Sequence, residues 1–251
     1  MLTRISHPIK VIARRFGIDI RRIDRAPGLH GALVSELNLR GVGTVFDIGA
    51  NVGQFASALR QHGFRGRIVS VEPLPDAHAE LTARARADRN WLVHPRGAVA
   101  RSSGSLVINV ARNSVSSSPL PMLPMHEAAA PESRTIAATT CVSWSLDEVV
   151  SRHCSPEEPV FIKIDTQGFE SEVLAGGAQA LWQAQGLLLE MSLVPLYDGQ
   201  VMWRALVDKM EALGLHLWRI DPAFTEPVTG QTLQVDGMFL RARVREDLAT
   251  A

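Results

Sequence analysis

Four carboxylic acids stand where this sequence could do chemistry. Asp47, Glu72, Asp165 and Glu190 lie at or near the ends of short apolar runs, Thr44 to Ile48, Arg67 to Val71, Pro159 to Ile164 and Gly186 to Leu189. Such runs read as buried parallel strands, and ligands of open α/β sheets collect at the carboxyl ends of the strands. A carboxylate there can attract a cation, hold a ribose diol, or take a proton from an alcohol. Asp165 and Glu190 together could alternatively hold Mg²⁺ and polarise an oxygen. The plainer reading gives Asp165 the work of a helix cap and pairs Glu190 with Lys163 or an arginine.

The elements that must position these acids follow from the local pattern. Thr44-Val45-Phe46-Asp47-Ile48 is succeeded by Gly49-Ala50-Asn51-Val52-Gly53, a tight turn, and then by a helical run from Gln54 with Phe55, Ala58 and Leu59 on one face and Gly63 as its stop. Strand, glycine turn and helix form the nucleotide-binding corner of a doubly wound sheet, with Glu72 at the tip of the neighbouring strand. Charge separates the cofactors that fit this corner. A dinucleotide site wants a third glycine where Asn51 stands, and Asp47 would repel a pyrophosphate. S-adenosylmethionine carries an ammonium and a sulfonium, which Asp47 would attract. The expected cofactor site is therefore Asp47, Gly49, Asn51, Gly53 and Glu72, with S-adenosylmethionine favoured over NAD.

Composition narrows the class. At 251 residues, with 46% hydrophobic and 21% charged residues, the chain suits one large α/β domain. A formal net charge of zero argues against general nucleic-acid binding. Cys141 and Cys154 are too few for a disulfide framework or a zinc site. No apolar run approaches a membrane span and the N-terminus lacks a continuous signal-peptide core, so a soluble, cytoplasmic protein is expected. Residues 1–40 form a basic extension in which Ile5, Ile9, Ile12 and Phe16 recur at helical spacing. Its plainer role is a surface helix packed on the domain; its sharper role is peripheral contact with an anionic membrane or an amphiphilic acceptor.

Within the extension, Leu29 to Leu39 reads as a short helix before the first strand, and residues 41–251 carry the rest. Gly97 to Ala100 and Ser105 to Val110 read as a hairpin beyond a third strand at Trp91, with His94 a hydrogen-bonded neighbour of the site. A long segment at 111–135 holds four prolines, Pro119, Pro121, Pro124 and Pro131, and is expected to lack regular structure. It reads as a lid, with Met122, Leu123, Met125 and His126 reaching toward a substrate, or as a disordered insertion. One helix is expected through Val173, Leu174, Ala178 and Leu181, and a closing strand at Val235 to Leu240.

The segments DIGANVG, VEP, SLDEVV, KIDTQGFESEVLAGG and LLLEMS, in this order, resemble the FkbM family of S-adenosylmethionine-dependent methyltransferases over about residues 42–241. The resemblance implies a Rossmann-like class I methyltransferase fold, a seven-stranded, mostly parallel sheet with its last strand antiparallel. It also implies O-methylation of a hydroxyl, often on a sugar of a glycolipid, polysaccharide or natural product. The family usually has glutamate where this chain has Gln167, which leaves Asp165 and Glu170 as the stronger acidic candidates in that motif. Asp165 and Glu190 are the expected catalytic pair. A cofactor-binding module without catalysis and an NAD-dependent oxidoreductase are the competing classes.

Overall fold

The computed structural model describes residues 28–242, so the predicted basic helix around Ile5 to Phe16 lies outside the described residues. Among the described residues ten strands form two sheets. The larger has the order β3-β2-β1-β7-β8-β10-β9, built from β1 (Thr44–Ile48), β2 (Arg67–Val71), β3 (Trp91–Val93), β7 (Val160–Ile164), β8 (Ala184–Ser192), β9 (Leu215–Thr225) and β10 (Thr232–Arg241). β1 runs parallel to β2 and β7, and β7 parallel to β8. β10 alone is turned over, antiparallel to both β8 and β9. This is the class I methyltransferase fold.

Both faces of the central strands are covered, which is why β1 and β7 are buried at every position and read as unbroken apolar runs. On one face Val45, Ile68, Phe161, Leu188 and Met238 pack against helices α1 (Leu29–Leu39), α2 (Gln54–Gln61) and α3 (Pro75–Ala85). On the other, Phe46, Val69, Ile162 and Leu189 pack against α5 (Leu146–Ser151), α6 (Glu170–Ala175), α7 (Ala178–Gln183) and α8 (Trp203–Ala212). The two-residue period of strands then decides which face each acid joins. Asp47 follows Val45, Asp165 follows Phe161 and Lys163, Glu190 follows Leu188, and Asp236 precedes Met238, each by steps of two. All stand on the α1–α2 face.

Three expectations change. The second sheet has the order β4-β6-β5, from β4 (Ala98–Ala100), β5 (Gly104–Ala111) and β6 (Thr135–Ser145). β4 and β5 therefore do not form a hairpin: β6 is inserted between them, with Ser143 paired to Ala98 on one side and to Gly104 on the other. The single helix expected through Val173 and Leu181 is two short helices. Gly176 and Gly177 break it, and a Cβ on Gly176 would stand 2.3 Å from the Ala100 carbonyl oxygen. The proline-rich segment contains regular structure, helix α4 (Pro124–Ala129) and a 3₁₀ turn (Pro131–Ser133). In both, proline occupies the first turn, where a missing N–H costs no hydrogen bond.

Candidate active site

A cavity of about 430 Å³ runs along the carboxyl edge of the large sheet, from Glu72 after β2 to Asp236 on β10. Four inter-strand steps of about 4.8 Å make that edge roughly 19 Å long. At its first end the glycine turn is fixed by backbone. Gly49 and Ala50 both donate to the Val71 carbonyl. Gly49 has φ +76°, and a Cβ there would lie 1.9 Å from the Asp165 carbonyl oxygen, so no other residue lets β1 and β7 meet at this point. Asn51, itself at φ +46°, donates its backbone N–H to Glu72 Oε2 at 2.8 Å, while the Leu74 N–H donates to Glu72 Oε1 at 2.9 Å. Burial pushes the Glu72 carboxyl up to about 7, and these two amides oppose the rise. Gly53, at φ +87°, stands behind the cavity wall against the Trp91 ring and starts α2.

Asp47 lies under the cavity floor, fully buried. Its charge has a partner within the chain: Lys163 Nζ is 3.1 Å from Asp47 Oδ1 and 3.4 Å from Asp165 Oδ2, and donates to the Gly49 carbonyl at 2.8 Å. The β1–β7 register sets Asp47 directly beside Lys163. The two acids keep Lys163 charged against the cost of its burial.

Gln167, at φ +55°, ties the second pair of acids together. Its Nε2 donates to Asp165 Oδ1 at 2.8 Å and to Glu190 Oε2 at 2.6 Å, and its Oε1 accepts from the Tyr197 hydroxyl at 2.9 Å. Glu190 also accepts from Gln234 Nε2 at 2.9 Å, and burial with Asp165 beside it drives its carboxyl well above the usual range. A glutamate at 167 would add a third acid to this cluster; the amide supplies donors instead. Glu170 braces the loop, its Oε1 accepting from the Thr166 and Gly168 N–H groups, and Asp165 caps no helix. Asp165 faces the cavity, whereas Glu190 is tucked behind Gln167. Among the described residues no group of three or more His, Cys, Asp or Glu is placed to hold a metal ion. Lys163 and Gln167 lie against both oxygens of Asp165, and Gln167 and Gln234 against one oxygen of Glu190.

The far end holds residues the sequence reading did not assign. Asp236, Leu188, Leu29, His30 and Phe55 line it. The proline-rich segment closes the side with Ser114, Val115, Ser117 and Pro119, not with the expected Met122, Met125 and His126. Met122 pairs its backbone with Tyr197, and the His126 ring is buried edge-on to Tyr197 and beside Phe224. The segment is thus packed onto the domain. His94 lies outside the cavity, bonded to His153 at 3.0 Å and edge-on to Trp144, its imidazole pushed down to about 4 by burial.

Sheet order, glycine turn and the acid after β2 together define a methyltransferase of the class I type. The chain belongs to the FkbM methyltransferase family: the Methyltransferase FkbM domain matches residues 47–217. No curated protein matches it. Among solved structures it is similar to an rRNA methylase from Streptococcus thermophilus, at 11% identity over 89% of this chain and 100% of the other, TM-score 0.48. It is similar also to Aeropyrum pernix fibrillarin with natively bound S-adenosyl-L-methionine, at 12% identity over 83% and 74%, TM-score 0.45. A precorrin-6y C5,15-methyltransferase from Geobacter metallireducens matches at 14% identity over 88% and 92%, TM-score 0.42.

Proposed function

We propose that this methyltransferase moves a methyl group from S-adenosylmethionine to a hydroxyl of a sugar-containing acceptor such as a glycolipid or oligosaccharide. The observation that carries the reading is one cavity joining the glycine turn and Glu72 to the carboxylate of Asp165. The residues fit the cofactor. Glu72 keeps lone pairs free for a ribose diol, and Leu74, Ala98 and Val99 line an apolar slot for a base. Glu72, the acid beside the glycine turn, suits a cationic cofactor and opposes a pyrophosphate there. When bound, the cofactor supplies an electrophilic methyl on sulfur.

The chain's own work is positioning and proton transfer. Asp165, held by Lys163 and Gln167, accepts the proton of the acceptor hydroxyl. The sugar acceptor rests on the family likeness. Incubation with methyl-labelled S-adenosylmethionine and a glycolipid extract tests the reading. Label in a lipid-extractable sugar supports it; cofactor binding with no transfer to any acceptor would make the protein a binding module.

A further inference from the structure

Among the described residues, Asp236 is the one acid lining the cavity that has neither a hydrogen bond nor an ion pair. Glu72 accepts two backbone amides, Asp165 has Lys163 and Gln167, and Glu190 behind the wall has Gln167 and Gln234. Among the described residues the Asp236 carboxylate accepts no hydrogen bond and forms no ion pair. Its neighbours compensate it only through Lys163, whose charge opposes the rise of its carboxyl without forming an ion pair with it. Across the register stand Glu190 on β8 and Asp221 on β9, Asp221 already holding Arg219 at 2.5 Å, and Lys163 on β7 is shared by Asp47 and Asp165. His30 on α1 lines the same end. Burial, with Asp165 adding to it, pushes the Asp236 carboxyl up to about 7. A partly buried carboxylate left without donors costs stability, and its place on the wall of the acceptor end gives that cost a use.

We propose that Asp236 is a specificity-determining residue of the acceptor site. Its carboxylate accepts hydrogen bonds from hydroxyls of an uncharged acceptor and, with Asp165, turns away acceptors that carry a carboxylate or phosphate. This inference rests on the methyl-transfer reading.

The test uses the full chain at pH 8 with methyl-labelled S-adenosylmethionine and two probes of matched shape, a methyl glucoside and the corresponding methyl glucuronoside. The wild type takes the glucoside at least about tenfold better. Asp236→Asn lowers kcat/KM for the glucoside by roughly tenfold to a hundredfold, mainly through KM, the scale of a lost hydrogen bond to a charged group. It also narrows the preference between the probes to within about threefold, while cofactor affinity and melting temperature do not fall. Asp236→Lys reverses the preference; if that variant does not fold, Asp236→Asn carries the test. An unchanged preference in Asp236→Asn overturns the inference, as does a wild type that takes both probes equally. A wild type that binds the cofactor but shows neither transfer to the glucoside nor contact with it in saturation-transfer NMR also overturns it, and leaves the methyl-transfer reading standing. No binding of S-adenosylmethionine removes that reading, and the inference with it.

Discussion

The two ends of the cavity hold their acids by different means. At the β1–β2 end, Glu72 is fixed by backbone N–H groups of Asn51 and Leu74, donors that no substitution of the neighbouring side chains removes. At the β7–β10 end every partner among the described residues is a side chain: Lys163 and Gln167 for Asp165, Gln167 and Gln234 for Glu190, and none for Asp236. Backbone donors suit a ligand that does not change, such as a common cofactor. Side-chain donors can be exchanged without refolding the sheet, which suits an acceptor site.

The contrast breaks most severely at Lys163. Lys163→Met would leave Asp47 buried without its cation, at a cost of about 3–5 kcal/mol. A thermal or denaturant unfolding curve should show that loss, and Asp47→Asn in the same chain should recover most of it. A Lys163→Met protein as stable as the wild type would mean that the ion pair is ornamental.

Next in size is Asp165→Asn. If Asp165 takes the acceptor proton, turnover falls by at least about a hundredfold while melting temperature and cofactor affinity stay close to wild type. EDTA should leave the wild-type rate unchanged, because Lys163 supplies the nearby positive charge. A loss restored by Mg²⁺ would instead make Asp165 a metal ligand, and full activity in Asp165→Asn would make it a bystander.

The smallest effect separates Asp236 from the paired acids. Its folded value of about 7 lies above the ordinary 3.8, so the charged form is the disfavoured one and folding takes up a proton between those values. The penalty is fully present above pH 7 and fades as the pH falls through it. Asp236→Asn should therefore stabilise the protein, with a gain about 1 kcal/mol smaller at pH 6 than at pH 8. Melting curves at the two pH values check the sign.

Much of the β1–β2 end was legible in the sequence because it is local. Strand, glycine turn, helix and the acid after the next strand lie within Thr44 to Glu72, and the types of these residues dictate their conformations. The β7–β10 end was not legible in this way. Lys163 was visible only as a polar residue in an apolar strand; its partnership with Asp47 depends on the β1–β7 register across more than a hundred residues. Asp236 sits inside a strand whose direction and neighbours are set by β8 and β9, although an acid between Val235 and the apolar run after it was itself a signal. The departure at Gln167 was seen, but not that its amide would bridge Asp165 and Glu190, because that needs the left-handed backbone at this position. The proline-rich segment misled because its proline density implies a lack of regular structure, whereas two of its prolines start short helices.

The account stands or falls on the cofactor end. Isothermal titration of the wild type and Glu72→Ala with S-adenosylmethionine, its demethylated product and NAD measures it directly. The account predicts that the wild type binds the first two and not NAD, and that Glu72→Ala keeps its fold while losing roughly tenfold to a hundredfold in affinity. Binding of NAD with no response to S-adenosylmethionine would contradict it.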